Sequence, residues 1–226
     1  MGTPSFAVPI LKALHKKKYL ISATYTQPPQ KSQRGQRYNK SPIHVISEEL
    51  NIECRTPRIL KGNNEEFNFF KKLDVDIVIV VAYGQIIPND FLDLSKKGFI
   101  NIHASLLPKW RGAAPIQRSI INLEKETGIS IMKIGEKLDT GPVCNSYKID
   151  IKENDNAETI STKLSILASE KISENIDGIL DDTVRFKEQD HNNATYASKI
   201  KKSEGEIKWN DNAESIIGKI NGLYPS

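Results

Sequence analysis

Two cysteines, Cys54 and Cys144, are all the thiol chemistry that this 226-residue chain carries. They form neither a C-x-x-C pair nor a disulfide framework, which fits a reducing compartment and two small buried hydrophobes. Long apolar runs are missing too. None reaches the roughly 18–20 residues of a membrane span, and the start lacks the basic, apolar and small-residue regions of a secretory signal. A cytoplasmic protein with no membrane contact is expected. The pattern G-x-G-x-x-G is absent, so the opening Gly2-Thr-Pro-Ser-Phe-Ala7 does not read as a dinucleotide phosphate turn. The four histidines are scattered without the spacing of a ligand set, and no metal is expected. Charge of one sign is also scarce: 32 Lys and Arg against 28 Asp and Glu leave a formal +4. That permits a polyanionic partner without requiring one.

What is present is an ordinary soluble composition, 38% hydrophobic and 27% charged, enough for one substantial core and a further piece. The first half alternates helix and strand signals. Thr3-Pro4 ahead of Val8, Ile10, Leu11 and Leu14 predicts a capped helix, and 20–26 a short strand. Helices are expected at 42–50, 65–73 and 115–123, and strands at 98–103 and 128–134. The β-branched run Asp76-Ile-Val-Ile-Val-Val-Ala82 is that of a strand buried on both faces of a parallel sheet. The stripe Ile160, Leu164, Leu167, Ile172, Ile176, Ile179 predicts one long helix over 156–181. Together these predict an α/β fold, a Rossmann-like mostly parallel sheet with flanking helices. Residues 1–185 form the expected catalytic domain. The polar stretch 186–206 reads as a linker, and 207–226 starts something new, with a strand-like Ile207-Lys-Trp209 and a short helix capped by Asn212.

Chemistry concentrates in Asn101-Ile-His103-Ala-Ser105-Leu-Leu-Pro108, followed downstream by Leu138-Asp139-Thr-Gly141. An amide can donate to an oxyanion, an imidazole can move a proton, and a carboxylate can orient the imidazole. These are the parts needed to pass an acyl group to an amine. Asn101 and His103, two apart on a strand, point to the same side. A D-T-G step alone is also ordinary turn chemistry.

N-I-H-A-S-L-L-P-x-W-R-G-A-A-P-I-Q with L-D-T-G-P-V behind it closely resembles the folate-dependent formyltransferases, and among them those acting on methionyl initiator tRNA. M-G-T-P-S-F-A-V-P-I-L at the start and A-T-Y-A-S-K-I late in the chain extend the resemblance from Met1 to about Ser226. It implies formyl transfer from 10-formyltetrahydrofolate to the methionyl amine, by direct amine attack and with no covalent relay. By the same resemblance Asn101 is the oxyanion donor, His103 the proton shuttle and Asp139 its support. Ser105, Leu106, Leu107 and Pro108 imply one folate wall, and Tyr83 and Gly84 another. Phe6 is expected to line the methionine pocket or to sit in the helix core, and Arg111 to cap the site or to meet the acidic folate tail. The long polar loop at 27–42 carries Lys31, Arg34, Arg37 and Lys40; the resemblance makes it a wedge for the tRNA acceptor end. A monomer is expected.

The pattern departs from the family at Gly135 and Lys137, where an acidic residue and a glycine are more usual. Relative to the family, the chain is expected to lack a first central strand upstream of Met1. By the same comparison it is expected to stop short of a barrel-like C-terminal domain that helps hold tRNA. Two alternatives stay open: a formyltransferase for another amine, such as an amino-sugar nucleotide, and an inactive RNA-binding fragment.

Overall fold

The computed structural model describes residues 1–31 and 38–225. In chain order the elements are α1 (Val8–Lys16), β1 (Thr24–Tyr25), β2 (Gln30–Lys31), β3 (Tyr38–Asn39), α2 (Pro42–Glu49), β4 (Cys54–Arg55), α3 (Asn64–Lys72), β5 (Val78–Val80), α4 (Asn89–Leu92), β6 (Phe99–His103), β7 (Arg111–Gly112), α5 (Pro115–Ile121), β8 (Glu126–Lys133), β9 (Val143–Asp150), α6 (Ala157–Leu180), β10 (Tyr196–Ala197) and α7 (Ala213–Leu223). They divide into two compact units. The first holds Met1–Ile102 and Ser169–Val184, the second His103–Ala168 and Arg185–Ser226.

The first unit is α/β with parallel strand pairs, β1 with β4 and β5 with β6. Its core is aromatic: Phe70 meets Tyr25, Phe91 and Phe99, all buried. Local chemistry sets the helix starts. Ser41 accepts the His44 N–H at 3.0 Å and Asn63 accepts that of Glu66 at 3.1 Å, each capping its helix. Thr3 does not cap α1 as its position predicts; its hydroxyl donates instead to the Tyr83 carbonyl at 2.8 Å.

The expected strand at 20–26 is paired only at Thr24–Tyr25, and Leu20 is 94% exposed. Beside it lies a cavity of about 330 Å3, lined by Ile10, Leu11, Leu14, Ile77, Ile79 and Ile176 among others. Met1 and Gly2 also line it. The Met1 amine donates to the Ile79 carbonyl, Val81 N–H donates to Met1, and Gly2 N–H donates to Tyr25. These two residues therefore bridge the β1 and β5 sides like the last two positions of a parallel strand.

In the second unit β8 pairs antiparallel with β9 over Glu126–Asp150 to Met132–Val143. β9 was not anticipated. The stretch 186–206, expected as a linker from its polarity, is built into this unit: β10 pairs parallel with β7, and Ala197 is fully buried. Arg118 of α5 reaches Glu204 at 2.6 and 3.0 Å. Asn212 caps α7 by accepting the Ser215 N–H at 2.8 Å, whereas 207–209 forms no strand. α7 packs on α5 through Gly218 and Gly222, where a Cβ would collide with Leu123 and Ile121. Among the described residues no helix is long and apolar enough to cross a membrane.

Candidate active site

Asn101 and His103 lie on β6, whose Phe99, Ile100 and Ile102 are buried. The two-residue repeat of a strand sends both side chains to one side. His103 is 6% exposed. Its Nε2 lies 2.8 Å from the Trp110 carbonyl. A carbonyl only accepts, so Nε2 donates there and Nδ1 is left to face Asp139 Oδ2 at 3.7 Å. The same Oδ2 accepts the Gly112 N–H at 2.8 Å. Imidazole and carboxylate are thus each held by a backbone group, and only the imidazolium has an Nδ1 proton to turn toward Asp139.

Two residues of this cluster have left-handed backbone, Asp139 with φ 51° and Trp110 with φ 61°. L-residues adopt that region sparingly, and such conformations gather where surrounding contacts enforce them. Gln189 supplies part of the enforcement: its amide donates to the Asp139 carbonyl at 3.0 Å and the Gly141 carbonyl at 2.7 Å. Sequence reasoning missed Gln189, which sits in the polar stretch without a motif to mark it. Arg111 is only 2% exposed. Its guanidinium donates to Gln189 Oε1 at 2.7 and 3.1 Å and to His191 Nδ1 at 2.9 Å. The Arg111 side chain is thus buried and bonded within its own unit.

The Ser105–Pro108 segment is fastened within the second unit. Ser105 donates to the Lys109 carbonyl at 2.6 Å, and Ser130 donates to the Ser105 carbonyl while accepting the Leu107 N–H. Leu107–Pro108 is cis. Leu106 packs over Gly128, where any Cβ would displace it. Ser130 is a second residue that the motif did not reveal.

Within the first unit the Tyr83–Gly84 turn is also fixed. Gly84 has φ 78°, and an added Cβ would run into Gln27, whose amide donates to the Gly84 carbonyl at 2.9 Å. The Tyr83 ring is 2% exposed, and its hydroxyl has no hydrogen-bond partner among the described residues. Burial pushes that hydroxyl's pKa up. Phe6 is buried at the start of the first helix. Lys40 pairs with Glu48 at 2.6 Å. Arg34 and Arg37 lie outside the described residues, and the Lys31 side chain is likewise not described. Among the described residues no three His, Cys, Asp or Glu side chains converge on a metal position.

The formyl transferase family profile matches residues 1–176. Over all 226 residues the chain is 76% identical to a methionyl-tRNA formyltransferase of Pelagibacter ubique (strain HTCC1062), spanning 73% of that protein. The chain belongs to the formyl transferase family, among the methionyl-tRNA formyltransferases. A Brucella ovis formyltransferase of the same name is 41% identical over 226 residues, with the chain spanning 74% of it. Solved formyl transferases share the fold. The N-formyltransferase from Helicobacter canadensis in complex with folinic acid and dTDP-3-aminofucose gives TM-score 0.75 at 21% identity, over 98% of this chain and 78% of its own. Phosphoribosylglycinamide formyltransferase from Bacillus halodurans gives 0.67 at 20% identity, over 80% and 94%. As a formyl transferase the protein is a one-carbon group-transfer enzyme, and the Rossmann-like reading of its sequence holds.

Proposed function

We propose that the protein transfers the formyl group of 10-formyltetrahydrofolate to the amino group of methionyl initiator tRNA. The observation that carries this is the His103–Asp139 contact at 3.7 Å, held by Gly112 and Trp110 backbone groups. Relatives at 76% and 41% identity bear the methionyl-tRNA name, which favours that acceptor over a sugar.

The neutral amine attacks the formyl carbon, forming a C–N bond and moving the carbonyl electron pair onto oxygen. Asn101, leaving β6 on the same side as His103, donates to that oxyanion. The attacking nitrogen gives up one proton through His103, and the folate nitrogen receives one as its bond to carbon breaks. Asp139 balances the positive charge on the imidazole while the proton is in transit. Folate contacts come from Ser105, Leu106, Leu107 and Pro108 and from the Tyr83–Gly84 backbone. Lys31, Arg34, Arg37 and Lys40 contact tRNA phosphates, and Phe6 lines the methionine pocket. A formylation assay decides the acceptor: methionyl initiator tRNA should be formylated and an amino-sugar nucleotide should not. The reverse result overturns the reading.

A further inference from the structure

We infer that Gln189, oriented by Arg111, is a positioning residue that holds Asp139 against His103. This rests on the catalytic reading of Asp139 above. Gln189 is 8% exposed and uses its whole side-chain amide. Oε1 accepts two bonds from Arg111, and Nε2 donates to the Asp139 and Gly141 carbonyls. The orientation is forced, because a guanidinium offers only donors and carbonyls only accept. Arg111 is in turn anchored by His191 Nδ1 and by the backbone pairing of β7 with β10, through its own N–H to the Thr195 carbonyl at 2.9 Å.

The arrangement is unusual for a buried cation. Among the described residues no carboxylate pairs with Arg111, and its side-chain partners are an amide and an imidazole. A buried guanidinium is costly without a counter-ion, and a carboxylate at position 189 would satisfy it better. Glutamate, however, has no N–H to give the two carbonyls of the Asp139 turn. The glutamine side chain therefore favours the turn at the cation's expense. The turn needs the help, since Asp139 has φ 51°. The grip also closes a loop: Arg111 precedes Gly112, whose N–H holds Asp139 Oδ2 at 2.8 Å. Backbone and carboxylate of Asp139 are thus both tied to the Arg111–Gly112 strand.

Gln189→Glu separates positioning from simple support of Arg111. It keeps volume and gives Arg111 a stronger partner, but sets oxygen against oxygen at the turn. The expected result is a kcat lowered by about ten- to a hundred-fold, the scale of a misplacement near 1 Å, with KM for both substrates within about two-fold of wild type. In an Asp139→Ala background the same change should add little, because the group being positioned is gone. Wild-type kcat in folded Gln189→Glu overturns the inference while leaving the role of Asp139 standing. Wild-type kcat in Asp139→Ala instead overturns the catalytic reading beneath it. If Gln189→Glu does not fold, Gln189→Ala measured below its own melting midpoint gives the same test. It should show a lowered kcat and a held KM, and unchanged kcat there also overturns the inference.

Discussion

Oδ2 of Asp139 stands 3.7 Å from Nδ1 of His103. That oxygen also accepts the Gly112 N–H, so the carboxylate approaches the ring in a fixed direction. His103→Ala and Asp139→Ala should each reduce formyl transfer by roughly a hundred- to ten-thousand-fold, the usual worth of a positioned proton-transfer group. Folate affinity should change little. Single-turnover rates near wild type in either variant would remove the assignment.

The cavity between the β1 and β5 sides leads to a stability prediction. Adding about six apolar residues before Met1, the length of an average strand, should continue the parallel pairing that Met1 and Gly2 begin. Burying even two or three such side chains contributes a few kcal/mol, or about 5–10 °C in melting midpoint for a chain of this size. Coincident thermal melts of the two chains would show that the cavity does not accept a strand.

Arg118 and Glu204 give a pH signature. The hydrogen bond from Arg118, helped by the Lys201 N–H, holds the Glu204 carboxyl near pKa 2 instead of 4.5. A depressed folded-state pKa adds stability that is complete above the unfolded value and is lost as pH falls through the folded one. Wild type should therefore lose stability between about pH 4.5 and 2 more steeply than Glu204→Gln, as followed by chemical unfolding at each pH. Parallel acid limbs would mean the contact is not maintained in solution.

The basic loop makes a separate claim. Neutralising Lys31, Arg34, Arg37 and Lys40 together should weaken tRNA binding and flatten its salt dependence, with roughly 0.7 to 0.9 lost from the log–log slope per phosphate contact. Because Lys40 already pairs with Glu48, its share should be the smallest of those tested singly. Equal slopes for wild type and the fourfold variant would leave the loop as solvated surface.

Much of this architecture is legible in the residues. The helices at Pro42–Glu49, Asn64–Lys72 and Ala157–Leu180 follow their apolar spacing and caps to within a residue or two. β5 follows from the continuous apolar run at 76–82, of which Val78–Val80 is the strand. β9 escaped notice because Val143–Asp150 is half exposed and only pairing with β8 makes it a strand. The packing of the stretch 186–206 is hard to read for a related reason: it is carried by hydrogen bonds at Gln189 and Arg111. At the candidate site, the motif points to the side chains proposed to react but not to what holds them. Gln189 and Ser130 act through amide and hydroxyl hydrogen bonds that no local pattern encodes.

The left-handed backbone at Asp139 also separates heat resistance from turnover at one position. Alanine there loses the carboxylate and keeps the strained φ, whereas glycine loses the carboxylate and relieves it, a difference of about 1 kcal/mol. Both truncations should be equally inactive, yet Asp139→Gly should melt several degrees above Asp139→Ala. A screen that ranks variants by thermal survival would thus favour the smaller residue at a position whose side chain is proposed to serve turnover.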